Sequence, residues 1–259
     1  MIDTHVHLDF EQFNEDRKNV IKRFFDNGGK AILNIGVDED RSNKTLEIAE
    51  NYLQIFAVLG FHPENGEVNL EEVEKYLKEK CQNSKVKAIG EIGLDYFHSS
   101  DEEDREFQKK LFIKQLEVAK NLNLPVVIHC RDAYADLWEI ISQTQFKKLK
   151  MVIHCFCGGV EEAKNFLQLP NLKFSFTGNI TFVKENDELL KVVKKIPLNR
   201  IMVETDCPFL APVPNRGKRN EPSFVKFVIE KIAEIKVLSF DEVENQTDKN
   251  AIDFFDLEK

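Results

Sequence analysis

Met1-Ile2-Asp3-Thr4-His5-Val6-His7-Leu8 opens the chain, a short apolar strand pattern carrying two histidines two positions apart. Successive side chains of a strand alternate between its faces, so His5 and His7 point the same way. The motif recurs in single-residue form. His62 ends Ile55–Phe61, Glu91 follows Val86–Gly90 and His129 follows Leu124–Ile128. His154 follows Met151–Ile153, and Asp206 closes Arg200–Thr205. Of the 6 histidines, only His98 stands outside this pattern. Histidine and carboxylate are the donors a hydrolytic metal site uses, and a parallel α/β barrel delivers its strand ends to one mouth.

Outward from these residues, apolar runs alternate with amphipathic ones along the whole chain. Strands are expected at Met1–His7, Ala31–Gly36, Ile55–Gly60, Val86–Glu91, Pro125–His129, Met151–His154, Leu172–Phe176 and Arg200–Glu204. Helical periodicity fills the intervals, and two further helices, Glu221–Lys236 and Ser239–Phe255, follow the last strand. This is the count of a (β/α)8 TIM barrel. An open doubly wound sheet would gather its ligands at one switch point. Here they lie on the first, middle and last strands, which only a closed barrel brings together. The length of 259 residues matches one such domain, spanning 1–259, and no linker or low-complexity stretch divides it.

With a net charge of −9 the chain is not built to hold nucleic acid by bulk electrostatics, although bound cations can reverse the local sign. The odd count of 5 Cys argues against a disulfide framework and for a reducing, cytoplasmic setting. Neither a signal peptide nor an apolar run of membrane-spanning length is visible, and no obligate protein partner is inferred.

A Glu after largely apolar strand residues is costly unless it binds a metal or pairs with a cation. Because a carboxylate can bridge two metals, Glu91 is the natural bridge of a dinuclear site. Arg131 lies two residues past His129 and suits phosphate or carboxylate recognition. Asp206 lies at the mouth, placed to ligate a metal and to take a proton from an attacking water. Glu204, two residues deeper, reads as a supporting acid. Arg216, Lys218 and Arg219 surround Gly217 just past the last strand and form a candidate grip for a phosphate backbone.

These residues fall into motifs. Asp3-Thr4-His5-Val6-His7-Leu8, Gly60-Phe61-His62-Pro63, Gly90-Glu91-Ile92-Gly93-Leu94-Asp95-Tyr96, His129-Cys130-Arg131-Asp132-Ala133, His154-Cys155-Phe156 and Glu204-Thr205-Asp206-Cys207-Pro208-Phe209-Leu210-Ala211-Pro212 come in this order. Together they resemble the TatD family of metal-dependent deoxyribonucleases, of the amidohydrolase-like TIM-barrel superfamily. The resemblance implies a hydrolase using two divalent metal ions (Mg, Mn or Zn), with 3′–5′ exonuclease activity on single-stranded DNA or DNA 3′ ends. It implies that His5, His7, Glu91 and Asp206 hold one ion, that Glu91, His129 and His154 hold the other, and that His62 lies in the substrate pocket. The continuation Tyr96-Phe97-His98 departs from the family pattern, and His98 is read as a non-ligand. Two rival readings are a hydrolase of another ester or amide on the same scaffold (an aminoacyl-tRNA ester or a cyclic amide) and a non-catalytic nucleic-acid-binding barrel.

Overall fold

In the computed structural model, which describes residues 1–99 and 101–257, the apolar runs become eight parallel strands alternating with helices. The order is β1 (Ile2–Val6), α1 (Arg17–Asp26), β2 (Ala31–Gly36), α2 (Glu39–Glu50), β3 (Ile55–Leu59), α3 (Leu70–Lys80), β4 (Val86–Asp95) and α4 (Glu102–Leu122). There follow β5 (Val126–Arg131), α5 (Tyr134–Ile141), β6 (Met151–Ile153), α6 (Val160–Phe166), β7 (Leu172–Phe176), α7 (Glu188–Lys195), β8 (Ile201–Val203), α8 (Val225–Lys236) and α9 (Phe240–Phe255). The strands pair in chain order from β1 to β8. The helix starts follow local chemistry: Asp38, Asn69 and Asp101 cap α2, α3 and α4 through their side chains, and Ser239 with Glu242 forms a capping box on α9.

Two strands depart from simple alternation. The barrel interior contains Val58, Val127, Val152 and Met202, closed off at one end by Phe254 and Phe255 of α9. Val127 and Val152 lie two residues before His129 and His154, so period two carries both histidines inward above them. Ile2 and Ala88 belong to the same inner cluster, yet His5 and Glu91 lie three residues on. Register irregularities between Asp3 and Val6 in β1, and between Ile89 and Ile92 in β4, change the phase and turn these groups inward as well. Strand β4 also runs past Glu91 to Asp95, so Glu91 lies inside a strand rather than at its end. Gly93 permits the overrun: at φ 150° a Cβ there would lie 1.9 Å from the His129 carbonyl oxygen.

Closure between β8 and β1 is a short seam rather than a ladder. One bridge joins Val6 to Cys207; the His7 N–H donates to the Cys207 carbonyl at 2.9 Å, and the Asp206 N–H to the His5 carbonyl at 2.9 Å. Buried Asp3 reinforces the seam, accepting from the Thr205 hydroxyl at 2.6 Å and the Thr205 N–H at 2.9 Å. Burial pushes the Asp3 carboxyl well above the usual carboxylate range, against the pull of the Thr205 bonds.

Asp3→Ala should leave two buried Thr205 donors without an acceptor, at about 1–3 kcal/mol for each group left unsatisfied. The transition temperature should fall by several degrees, and Asp3→Asn, which keeps one acceptor, should fall less. An unchanged transition in Asp3→Ala would mean that the seam does not rest on this residue.

Candidate metal centre

At the mouth, the C-terminal ends of the strands place donor atoms in two groups that meet at Glu91. In the first, His5 Nε2 and His7 Nε2 are 3.3 Å apart. Glu91 Oε2 lies 3.3 Å from the former and 3.9 Å from the latter, and Asp206 Oδ1 lies 3.7 and 3.5 Å from them. In the second, Glu91 Oε1 is 2.8 Å from His129 Nδ1 and 2.7 Å from His154 Nε2, which are 3.3 Å from each other. One carboxylate thus turns an oxygen to each group. Four donors around an ion at about 2.0–2.2 Å would be spaced by roughly 3.3–3.6 Å, and the first group, at 3.3–3.9 Å, lies at or slightly above that spacing. Two ring nitrogens facing each other at 3.3 Å share at most one proton, whereas a cation between them satisfies both lone pairs. The donor set therefore fits divalent cations.

The outer ring nitrogens fix which face of each imidazole is open. His7 Nδ1 lies 3.2 Å from the Ile35 carbonyl, and His129 Nε2 lies 2.9 Å from Asp95 Oδ2. With the outer nitrogen donating outward, loss of the inner proton frees a lone pair on each ring for a cation. His154 Nδ1 faces Glu204 at 3.5 Å, while Glu204 accepts the Cys155 N–H at 2.6 Å. Asp95 also receives the His98 N–H at 2.8 Å, and His98 Nδ1 lies between Asp95 and Glu64 at 3.2 and 3.1 Å, away from the donor groups at Glu91. Asp95 is the residue whose role simple alternation misses. The signal was available, because Asp95 follows Glu91 by four positions and so shares its face.

His62 lies nearer than a substrate pocket alone would require. Its Nε2 is 3.6 Å from Glu91 Oε1 and its ring meets His129 edge-on at 4.4 Å between centroids. Its Nδ1 accepts the Glu64 N–H at 3.2 Å, so the neutral ring keeps its proton on Nε2 and aims a donor, not a lone pair, at the centre. Beside the donors opens a cavity of about 490 Å³ lined by His129, Arg131, His154, Asn179, Asp206 and Phe209. A cavity of about 530 Å³ at the opposite end, lined by Lys87, Lys148, Lys150 and Phe254, contains no histidine.

The remaining expected residues lie at the rim. Arg131 is exposed and stacks its guanidinium carbon 3.7 Å from the Phe97 ring centroid, rather than pairing with Asp132 or Glu91. Arg216 does the same over Phe182 at 3.8 Å, and Lys218 is exposed. Arg219 is engaged within the protein, donating to Asp16 at 2.7 and 2.8 Å. Glu221 pairs with Arg23 at 2.6 Å instead of balancing this loop.

Burial would raise the Glu91 carboxyl, but His154, His5, His62 and the His129 bond hold it well below the usual range. Burial likewise opposes, and the His7 bond with the neighbouring imidazoles secures, a lowered Asp206. Both acids are therefore ionised at neutral pH. Burial and His154 lower His5. Burial also opposes charge on the other three rings, yet Asp206 raises His7, Asp95 and Glu91 raise His129, and Glu91 and Glu204 raise His154 well above the ordinary value.

A (β/α)8 barrel carrying two imidazole–carboxylate clusters at its mouth has the donor set of a metal-dependent hydrolase. Residues 2–256 match the family model described as TatD related DNase, and the chain belongs to that family. It is 41% identical over 251 residues to the metal-dependent hydrolase YabD of Bacillus subtilis, covering 97% of each chain. It is 30% identical over 263 residues to the metal-dependent hydrolase YcfH of Escherichia coli, covering 100% of this chain and 96% of that one. The crystal structure of YjjV, a TatD homologue from Escherichia coli, superposes with a TM-score of 0.90 at 29% identity, covering 99% and 98% of the two chains.

Two outcomes follow for metal loading. Glu91→Gln or Glu91→Ala should lower occupancy of both clusters, whereas His5→Ala or His129→Ala should chiefly affect one, as read by metal content per chain. If Glu91→Gln lost no more metal than His129→Ala, Glu91 would not be shared. Because raised His7, His129 and His154 must lose protons before ligating, apparent affinity should climb from pH 6 to pH 8 with proton release. Calorimetric titration in buffers of different ionisation enthalpy measures both, and a flat affinity across that range would contradict the ligand set.

Proposed function

We propose that this TatD-family hydrolase cleaves phosphodiester bonds of DNA as a 3′–5′ exonuclease, with one divalent ion at His5, His7, Glu91 and Asp206 and a second at Glu91, His129 and His154. The observation that carries the reading is Glu91, whose two oxygens face two imidazole groups beside a cavity large enough for a nucleotide. The DNA substrate is carried by the family description. Bound there, divalent ions polarise a phosphoryl oxygen and lower the pKa of water.

The chain's own groups have separable tasks on this reading. Asp206, ionised and open to the cavity, accepts the proton of the attacking water. His62 directs its Nε2–H toward the phosphoryl oxygens. Asp95 and Glu204 orient His129 and His154. Arg216 and Lys218 meet the substrate backbone, while Arg219, through Asp16, anchors the loop that presents them. Five free thiols support a reducing, cytoplasmic location, and among the described residues no helix is long and apolar enough to cross a membrane.

Labelled single-stranded DNA should be degraded from its 3′ end by the metal-loaded protein and spared after EDTA. Asp206→Asn should cut kcat by at least about 10²-fold, the low end for losing a general base, with KM less affected. Degradation that survives EDTA, or near-normal kcat in Asp206→Asn, would defeat the respective assignment. Turnover of aminoacyl esters or cyclic amides with DNA left intact would move the substrate elsewhere on the same scaffold. Neutralising Arg216 and Lys218 together should raise KM for DNA and flatten its salt dependence by about 0.7 in log–log slope per lost contact. An unchanged slope would make the loop merely solvated.

A further inference from the structure

Of the chain's 21 phenylalanines only two are exposed, Phe97 at 58% and Phe209 at 47%, and both follow strands at the mouth end of the barrel. Phe209 follows Asp206 by three residues, lines the cavity of about 490 Å³ and meets Phe10 edge-on at 5.8 Å. Phe97 lies just beyond β4 and backs the guanidinium of Arg131, which lines the same cavity. A flat ring from the β8 side and a flat guanidinium from the β4–β5 side thus flank the metal-binding donors.

Catalysis at the metal centre requires neither surface. Phe209 presents an aromatic ring to this cavity, and Arg131 presents a guanidinium plane to it with the Phe97 ring behind. Aromatic faces and guanidinium planes are the surfaces on which unpaired nucleobases stack. Stacking is also a source of affinity that a chain with net charge −9 does not cancel through long-range repulsion. In a duplex each base is already stacked and paired, and only an unpaired base offers both faces.

We propose that Phe209 and the Arg131–Phe97 stack are base-stacking surfaces that hold nucleobases on either side of the scissile phosphate. The proposal rests on the phosphodiesterase reading above. The test compares wild type, Phe209→Ala, Phe97→Ala and Phe209→Tyr on a single-stranded oligonucleotide and on the same strand with a tetrahydrofuran abasic unit at each of its two 3′-terminal positions. On the intact strand each alanine variant should raise KM by about 5-fold or more, the low end for one stacked base. That penalty should shrink when the matching position is abasic, and Phe209→Tyr should restore the wild-type value. Equal penalties on intact and abasic strands, or no penalty at all, would overturn the proposal. If wild-type protein leaves the oligonucleotide uncut, the phosphodiesterase reading fails on its own. Stacking is then read by fluorescence anisotropy with labelled oligothymidylate. Weaker binding by Phe209→Ala supports it, and no binding, or binding equal to wild type, overturns it.

Discussion

A carboxylate buried among imidazoles organises this molecule. Glu91 is 4% exposed and has His5, His154 and His129 within 3.3 Å of its oxygens, with His62 at 3.6 Å. An isolated charge in that position would be expelled or neutralised. Here it is retained because each oxygen faces its own group of nitrogen donors, and those rings are held from behind by the Ile35 carbonyl, Asp95 and Glu204. The arrangement is a cage for positive charge before any substrate is considered. The Ile35 carbonyl and Asp95 fix the outer nitrogens of His7 and His129, so a change at Asp95 acts on the centre through His129.

The cage can exist only if the barrel closes. His5 and His7 leave β1, Asp206 follows β8, and the two segments are joined by a few backbone bonds and the Asp3–Thr205 pair. The same seam that completes the fold therefore sets the separation of the first donor group. Stability and site geometry share these bonds. On the β2 side, Asn34 repeats the logic, accepting the Leu8 N–H at 2.7 Å and donating to Thr45 at 2.9 Å, so the turn after His7 is tied to α2.

Much of this was legible from residue order. Strand-end histidines and carboxylates implied a barrel, and the eight strands appear where the apolar runs placed them. Alternation predicted that His5 and His7 point the same way, and their Nε2 atoms lie 3.3 Å apart. It did not reveal that β4 continues to Asp95, because the overrun depends on Gly93 admitting the His129 carbonyl, a contact between strands. Nor did it reveal the phase changes in β1 and β4, which arise from pairing register rather than composition. The basic loop shows a further limit. Arg216, Lys218 and Arg219 are equivalent cations in sequence, yet Asp16, the residue before α1, pairs with Arg219.

The charge pattern at the mouth links affinity to chemistry. Buried Glu91, Asp95 and Glu204, with Asp206 beside them, crowd the end of the barrel where the proposed phosphodiester substrate would arrive. Arg219 and Arg23 are already paired with Asp16 and Glu221, leaving Arg131, Arg216 and Lys218 exposed at the rim. Without bound cations these carboxylates are offset by the imidazoles whose protonation they favour. With the proposed divalent ions in the cage the local sign would reverse, and the positive field would be strongest where a phosphoryl group would react. On that reading the ions dictate where the backbone settles, and the rim arginines and rings contribute orientation. A substrate held this way needs no basic groove, which reconciles a net charge of −9 with a phosphodiester substrate.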